Sequence, residues 1–204
     1  LPRFINRKRL RSQRCNSYLG RQAPLDFLTL SVLSYHKTKY MLATTYVSSQ
    51  FGCFELKGSD LGLQSVKRYD EQPCPEKAVN HPATLQDAAQ QLKEYFQGSR
   101  RTFDLKIDWG GATDFNRSVW EKLLEIPYGH TSSYSAIAEQ IQNPNAVRAV
   151  GLANKYNPIA IIVPCHRVIA KSGHLQGYFY GLDMKRALLE LENPQSFARQ
   201  GSLF

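Results

Sequence analysis

The stretch NAVRAVGLANKYNPIAIIVPCHRV (145–168) decides the architecture of the second half of the chain. It begins as a run of small residues at helical spacing, and Asn157-Pro158 then breaks that run. The apolar segment that follows has the length of a strand and is far shorter than the roughly 18 apolar residues that a membrane helix needs. We therefore predict a helix over 145–156 and then a strand carrying VPCHRV (163–168), in which a cysteine stands beside a histidine.

Two further helices are predicted upstream of this stretch. The segment DFNRSVWEKLLEI (114–126) begins with an aspartate that suits a helix cap and carries its apolar residues on one side. The segment SSYSAIAEQI (132–141) is shorter, and Asn143-Pro144 breaks it. With the helix at 145–156 it makes two short helices joined by a tight turn, which is the arrangement of a helix-turn-helix. Beyond the cysteine follow a glycine-bearing hairpin region, KSGHLQGYFYG (171–181), and a last helix, DMKRALLELE (183–192).

The first half of the chain has a different sequence pattern, one in which β-forming segments predominate. Three short β-rich segments separated by turn residues predict an antiparallel meander: KYMLATTYV (39–47), FGCFEL (51–56) and LQSVKRY (63–69). The segment TLQDAAQQLKEYFQG (84–98) has helical spacing, with Thr84 as the N-cap and Gly98 as the stop. The alternating TFDLKIDW (102–109) predicts an edge or docking strand, and GGA (110–112) a linker.

The formal net charge of +9 is concentrated at the start of the chain. Residues 1–21 carry seven basic side chains and no acidic one, residues 22–110 carry ten of each, and residues 111–204 carry nine basic and seven acidic ones. The total charge therefore says little about the folded part. Three interpretations of the tail, residues 1–24, stay open: a disordered basic arm that contacts phosphate, an organelle transit peptide, or an artefact of where the sequence starts.

The four cysteines are scattered along the chain and form no C-x-x-C pair; they are Cys15, Cys53, Cys74 and Cys165. A chain of 204 residues, 42% of them hydrophobic, can build a core without disulfide staples. We therefore expect reduced thiols and an intracellular protein. Because the sequence also lacks short-spaced cysteine and histidine pairs, we expect no structural zinc.

The residues around Cys165 each allow a functional and a purely structural interpretation. A cysteine is a nucleophile only as the thiolate, and His166 is a candidate base. In a strand, however, the two side chains point to opposite faces, and a buried cysteine can act simply as a small hydrophobe. Arg148, in a helix of small residues, suits close approach to a duplex or is an ordinary solvated charge. Tyr134 and Tyr178 are candidate site residues or core aromatics.

Several motifs of the second half follow one another in a defined order and spacing: FNRSVWEKLLEIPYGHTSSYSAIAEQI (115–141), RAVG (148–151), NP (157–158), IVPCHRV (162–168) and GYFYGL (177–182). In the order and spacing of these motifs the chain closely resembles the O6-alkylguanine-DNA alkyltransferases, strongly over residues 114–193 and more weakly over 25–110. The resemblance implies an α/β protein of the α+β kind. After the basic tail (1–24) we expect a small antiparallel sheet with a helix, of ribonuclease H-like form, at 25–110. A helical, winged helix-turn-helix-like domain that carries the active-site cysteine is expected at 111–198.

The resemblance also implies a catalytic role for five residues. Cys165 is expected to accept the alkyl group. His166, with Glu192 behind it and a bridging water, is expected to turn the thiol into a thiolate. Asn157 is expected to orient the turn that carries the cysteine, and Tyr134 to donate a hydrogen bond to the leaving guanine. The transfer is then irreversible and uses each protein molecule once, as in a methylated-DNA–protein-cysteine S-methyltransferase.

The implied partner is double-stranded DNA that contains alkylated guanine, or O4-alkylthymine, docked through its minor groove with the damaged base flipped out. Arg148 is expected to fill the hole that the base leaves. The remaining DNA-binding residues are Tyr134, Ala149 and Gly151, and the pocket residues are Tyr178, Phe179, Val163 and Pro164. We expect a monomer without cofactor, metal or membrane contact, cytoplasmic in a bacterium and nuclear in a eukaryote.

Two other functions compete with this one. Alkyltransferase-like proteins bind the lesion without transfer and replace the cysteine, whereas Cys165 is present here. A cysteine hydrolase would need an oxyanion hole, for which the sequence offers no evident candidate. The chain also departs from many alkyltransferases at Phe179 and Tyr180, which are bulky and bear on the size of the alkyl group that the pocket accepts.

Overall fold

The structure is a computed structural model that describes residues 42–75 and 82–197. The basic tail, Cys15 and the first residues of the segment predicted as a strand at 39–47 lie outside the described residues. Among the helices of the described part, none is long and apolar enough to cross a membrane.

A three-stranded antiparallel sheet occupies the first half and confirms the predicted meander. Its strands lie in the order β1 (Ala43–Ser49), β2 (Gly52–Ser59) and β3 (Gly62–Tyr69). Alternate side chains enter the core, as expected for a sheet with one covered face. The fully buried ones are Val47, Phe54, Leu56, Leu63 and Val66.

Helix α1 (Ala83–Phe96) covers this sheet with its apolar face, which is formed by Leu85, Ala88, Ala89, Leu92, Tyr95 and Phe96. Its predicted stop is confirmed, since Gly98 has a φ of +75°, a conformation that glycine adopts at little cost. Its predicted cap is wrong. Pro82 takes the N-cap position, and the Thr84 hydroxyl instead donates to the Ser59 carbonyl at 2.7 Å. That bond ties the helix to the end of β2.

The second half is mainly helical, and the four predicted helices are confirmed. They are α2 (Asp114–Leu124), α3 (Tyr134–Gln140), α4 (Val147–Lys155) and α5 (Leu182–Glu192), followed by the short α6 (Pro194–Phe197). The cap of α2 is Thr113 rather than the predicted Asp114, because the Thr113 hydroxyl accepts the Asn116 amide at 3.2 Å. Helices α3 and α4 pack against each other across the turn at 141–146, as predicted for a helix-turn-helix.

The predicted strand through VPCHRV is wrong. Residues Cys165–Arg167 form a 3₁₀ turn, and only β5 (Val168–Ile169) is a strand, parallel to β4 (Ser132–Ser133). Pro164 has no amide hydrogen with which to continue a ladder, so the chain turns there. The side chains of Cys165 and His166 are therefore not held on opposite faces of a sheet.

The outer edge of β3 first receives the segment that was predicted as a docking strand. The Leu63 amide donates to the Lys106 carbonyl at 2.8 Å, and the Asp108 amide donates to the Leu63 carbonyl at 3.0 Å. Glycine is required at position 62, because a Cβ atom there would lie 2.7 Å from the Lys106 carbonyl oxygen. The strand predicted at 102–109 is reduced to one bridge at Ile107.

Farther along, the same edge holds the segment that leads to the cysteine. The Val66 amide donates to the Pro158 carbonyl at 2.9 Å, and the Ala160 amide donates to the Val66 carbonyl at 3.1 Å. The sheet of the first half thus fixes the backbone five residues before Cys165.

The expectation of reduced thiols is wrong for two of the four cysteines. Cys53, at the start of β2, is joined by a disulfide to Cys74, which follows β3, with Cα atoms 5.7 Å apart. Their separation of 21 residues has no motif value, but the β2–β3 hairpin brings them together. Cys165 is free and buried.

Candidate active site

Cys165 lies on the 3₁₀ turn at the floor of a cavity, with 5% of its surface exposed. Burial raises the pKa of its thiol, while a hydrogen bond from Asn157 and the positive charge of Lys185 oppose that rise. The thiol is therefore the resting form at neutral pH, and a base is needed to produce the nucleophilic thiolate.

The turn before Cys165 is held by the side chain of Asn157. Its Nδ2 donates to the Val163 carbonyl at 2.8 Å, and its Oδ1 accepts the Ile159 amide at 3.0 Å. Within this clamp Ile161 is fully buried and has a φ of +72°. A β-branched residue is strained in that conformation, so the surrounding contacts must hold it there.

His166, the next residue along the chain, is fully buried, and its Nε2 lies 2.9 Å from Glu192 Oε1. Burial lowers the pKa of His166, although the hydrogen bond and charge of Glu192 oppose this. The neutral ring donates its Nε2 proton to the carboxylate, which leaves Nδ1 as the free acceptor. Among the described residues nothing hydrogen-bonds to Nδ1. His166 can therefore receive a proton through Nδ1.

Glu192, at the end of α5, is buried but ionised. Burial alone would raise the pKa of its carboxyl, but hydrogen bonds and charge from His166 and Arg167 hold that pKa far below its usual range. Arg167 donates from Nε to Oε2 and from an Nη to Oε1, both at 2.9 Å. The Gly129 amide donates to Oε2 at 3.1 Å, and the Tyr95 hydroxyl donates to Oε1 at 2.6 Å. The carboxylate is thus a fixed anion that faces His166.

The cavity above Cys165 measures about 700 Å³. Of the predicted site residues, Cys165, Tyr134, Asn157, Gly151, Tyr178 and Phe179 line it. Val163 and Pro164 do not line the cavity, although both are buried. Tyr180, expected to bear on the size of the alkyl group, also lines it, as do Lys67, Asn154 and Tyr156, which the sequence did not indicate. A space of this size with aromatic walls accepts a flat heterocycle.

Four tyrosines line the cavity, and the hydroxyl groups of two of them, Tyr134 and Tyr178, are at least partly buried close to Cys165. Tyr134, the first residue of α3, donates its hydroxyl to the Gln176 carbonyl at 3.3 Å, and its ring lies beside Gly151 of α4. Burial and the nearby Cys165 raise its pKa, so the hydroxyl keeps its proton. The Tyr178 hydroxyl is buried and has no hydrogen-bond partner among the described residues. The Tyr178 hydroxyl therefore has its hydrogen bond unused, whereas Tyr134 has to give up its long bond to Gln176 in order to donate to a ligand.

Lys185 holds the loop that forms the far wall, a role that sequence analysis missed. Its ammonium group is fully buried and donates to the carbonyls of Val168, Gln176 and Gly177 at 2.6, 2.7 and 3.2 Å. Burial lowers the pKa of Lys185 to about 8, and the negative charge of a Cys165 thiolate opposes this change. This lysine links α5 and β5 to the loop that carries Tyr178.

Helix α4 presents the predicted DNA-binding residues at the molecular surface. Arg148 and Ala149 are exposed in its first turn, outside the cavity, whereas Gly151 lies at the cavity wall. Apolar side chains of the same helix are also exposed, with Leu152 at 54% and Tyr156 at 59%. The helix thus offers two long cations, Arg148 in its first turn and Lys155 at its end, on a small-residue, partly apolar surface beside the cavity mouth.

The described residues contain no group of three or more histidine, cysteine, aspartate or glutamate side chains that could hold a metal ion. The arrangement has the parts of a nucleophilic site: a buried thiol, a neutral imidazole, a carboxylate that orients it, and a cavity with hydroxyl donors.

Comparison with family models matches both halves of the chain. Residues 41–109 match the ribonuclease-like domain of 6-O-methylguanine DNA methyltransferase, and residues 114–194 match the DNA-binding domain of the same family.

Curated relatives carry the corresponding name. Methylated-DNA–protein-cysteine methyltransferase of Mycolicibacterium paratuberculosis is 46% identical over 158 residues, which is 76% of this chain and 95% of the relative. The protein of that name from Methanosarcina acetivorans is 48% identical over 147 residues, or 71% of this chain and 94% of the relative.

Solved structures agree in fold. The crystal structure of Mycobacterium tuberculosis O6-methylguanine methyltransferase is 46% identical, with a TM-score of 0.66, and the match covers 76% of this chain and 95% of that one. The structure of M. tuberculosis OGT in complex with DNA matches with the same values. The α/β fold and the family resemblance inferred from sequence are confirmed.

Proposed function

The chain belongs to the 6-O-methylguanine DNA methyltransferase family, and from this premise we propose that Cys165 is the residue that accepts the alkyl group. The function is DNA repair by transfer of an alkyl group from DNA to a cysteine of the protein itself. The observation that supports Cys165 is its position: it is the free cysteine of the described residues, it lines the cavity, and it directly precedes His166, which is paired with Glu192.

The proposed attack begins with proton removal. The Cys165 thiol gives its proton to Nδ1 of His166, through a bridging water, and Glu192 stabilises the imidazolium ion that forms. The sulfur then bonds to the alkyl carbon, and the bond from that carbon to O6 of guanine breaks. Because burial raises the thiol pKa, the base is needed, and because burial lowers the pKa of His166, the imidazole starts in the neutral form that can act.

The displaced guanine leaves as an anion, and a hydroxyl group in the cavity stabilises it. Tyr134 is suited to this, since its hydroxyl lines the cavity and keeps its proton. The proton taken from the thiol finally neutralises the guanine, so the products are guanine and S-alkylcysteine. The thioether does not hydrolyse, and each molecule therefore acts once.

We further propose that duplex DNA docks by its minor groove on α4 and that the alkylated base is flipped into the cavity. An alkyl group on an exocyclic oxygen inside the base stack is out of reach of a buried thiol, so the base has to leave the stack. Arg148 is exposed on α4, and in this proposal its side chain fills the vacated position in the base stack. The substrates are O6-alkylguanine and O4-alkylthymine, and the protein acts as a monomer inside the cell, where its DNA substrate lies.

Intact-mass measurement tests the proposal. After incubation with a duplex that contains one O6-methylguanine, we expect a gain of one methylene unit on the peptide that holds Cys165. Cys165→Ala should bind the same duplex without any gain, because the cavity and α4 are unchanged. Binding without a mass gain in the wild-type protein would support the lesion-binding alternative, and a gain on another cysteine would reject Cys165.

A further inference from the structure

Tyr95 connects the first half of the chain to the reactive pair in the second half. It is the penultimate residue of α1, is fully buried, and lies 97 residues before Glu192 in the sequence. Its hydroxyl donates to Glu192 Oε1 at 2.6 Å and lies 3.5 Å from His166 Nε2. A core position on a sheet-covering helix needs only an apolar ring, so the hydroxyl calls for a separate explanation.

The hydroxyl bonds to the same carboxylate oxygen that His166 uses. Glu192 Oε1 accepts from Tyr95, from His166 and from Arg167, whereas Oε2 accepts from Arg167 and the Gly129 amide. Burial, and next the charge of Glu192, raise the pKa of Tyr95, so the hydroxyl stays protonated and remains a donor. Tyr95 therefore takes up part of the negative charge that would otherwise face His166.

The rings around Tyr95 fix the direction of this bond. The ring centroids of Phe103 and Tyr128 lie 5.4 and 6.2 Å from that of Tyr95. Tyr128 points elsewhere: its hydroxyl donates to the Leu191 carbonyl at 3.2 Å, not to the carboxylate. Of these two neighbouring tyrosines, Tyr95 thus donates its hydroxyl to Glu192, whereas Tyr128 donates its hydroxyl to a backbone carbonyl.

We infer that Tyr95 is a positioning residue of the transfer reaction: through its hydroxyl, the first half of the chain sets the orientation and charge of the carboxylate that faces His166. The inference rests on the proposed function. With Tyr95 in place, Glu192 orients the imidazole without drawing a proton onto it in the resting state, so that Nδ1 stays free to receive the thiol proton.

The sign of the expected effect follows from the groups that face His166. These are Glu192 and Lys185 from α5, Arg167 from its own turn, and Tyr95 from α1. Tyr128 lies beside Arg101 and Arg167, whose guanidinium carbons are 5.7 and 5.8 Å from its ring centroid. Tyr95→Phe removes one donor from Oε1 and leaves the others. The carboxylate then stabilises the imidazolium ion more strongly, and the pKa of His166 rises.

The experiment compares Tyr95→Phe, Tyr128→Phe and wild type, all checked for folding by circular dichroism. The His166 resonance, assigned with His166→Gln, is followed by NMR against pH in labelled protein. Single-turnover methyl transfer from an O6-methylguanine duplex is measured over the same range. For Tyr95→Phe we expect the His166 midpoint at higher pH and a rate on the acid side reduced by about threefold to tenfold, with the alkaline plateau unchanged.

Tyr128→Phe should leave both profiles at the wild-type position. The inference is overturned if Tyr95→Phe leaves the His166 midpoint in place, if its rate falls equally at every pH, or if Tyr128→Phe shifts the midpoint as far. Failure of the proposed function shows differently, as wild-type protein that never becomes methylated. The histidine titration does not depend on transfer and still decides the role of Tyr95 in that case.

Discussion

The backbone amide of Arg68 donates to the hydroxyl oxygen of Tyr180 at 3.2 Å. Arg68 lies on the edge of β3 that also binds the segment before Cys165, and Tyr180 is part of the cavity wall. The sheet of the first half therefore holds both the floor and one wall of the site. The half that lacks the cysteine contributes to the shape of the space above it.

The ring of Tyr180 should limit the size of the alkyl group. It lines the cavity and packs edge-on against Tyr178, with ring centroids 5.7 Å apart. Tyr180→Ala removes that ring, so we expect the ratio of benzyl to methyl transfer to rise by roughly tenfold or more. Single-turnover rates with O6-benzylguanine and O6-methylguanine duplexes measure the ratio.

Tyr180→Phe is the matched control, because it keeps the ring and removes only the oxygen that accepts the Arg68 amide. Its ratio should stay near that of the wild type. An alanine variant with an unchanged ratio would show that the cavity does not select by size at this wall.

Lys185 should give the protein a stability that depends on pH. Its pKa is about 8 in the folded protein against 10.5 for an ordinary lysine. Between these values the unfolded chain binds more protons, so the unfolding free energy contributed by this group increases as pH rises, by at most about 1.4 kcal/mol per pH unit. Denaturant unfolding between pH 8 and 9 measures the slope.

Lys185→Met supplies the comparison. It leaves three carbonyl oxygens without their shared donor, so we expect it to be destabilised by roughly 2–4 kcal/mol at pH 7. The difference in stability between wild type and variant should widen from pH 8 to 9. The window stops at 9 because Cys165 and the buried tyrosines titrate above it. A constant difference would mean that Lys185 keeps its proton throughout this window.

Tyr134→Phe tests stabilisation of the leaving guanine. We expect single-turnover transfer to slow by roughly tenfold to several hundredfold, the scale for losing one well-placed donor. Tyr156→Phe is a control from the same cavity, since Tyr156 lines it but is 59% exposed. Equal rates for Tyr134→Phe and wild type would reduce Tyr134 to a packing residue.

The sequence predicts well those parts of the site that are local. The helical spacing of α2 to α4, the Asn157-Pro158 break and the Cys165-His166 pair each depend on residues that are close in sequence. The spacing of apolar residues and the presence of turn-forming residues predict such local structure. The prediction failed where Pro164 ends an apolar run: the length of the run suits a strand, but the missing amide favours a turn.

The buried roles of Tyr95, Arg167 and Lys185 could not be found in this way. From the sequence pattern alone, Tyr95 is one more apolar position on the buried face of α1. Arg167 and Lys185 are, by the same pattern, ordinary surface cations. Only the fold shows that all three side chains are buried. In the folded protein Tyr95 and Arg167 bond to the Glu192 carboxylate, and Lys185 bonds to backbone carbonyls. The Cys53–Cys74 disulfide was missed for the same reason, since the hairpin and not the spacing brings the two thiols together.

Substitution of Arg148 tests whether α4 only contacts the duplex or also supplies a side chain that replaces the flipped base. It is exposed in the first turn of α4 and outside the cavity, so it can act on DNA without touching the chemistry at Cys165. If it enters the vacated stack, Arg148→Ala should slow repair of an O6-methylguanine duplex by about tenfold to a thousandfold, since a few kcal/mol of unstacking are no longer offset. Arg148→Lys should recover little, because lysine has no planar group to stack.

Transfer from free O6-benzylguanine needs no flipping and should stay at the wild-type rate in both Arg148 variants. Equal losses with duplex and free base would instead indicate a damaged cavity, and no loss with either would make Arg148 an ordinary surface charge.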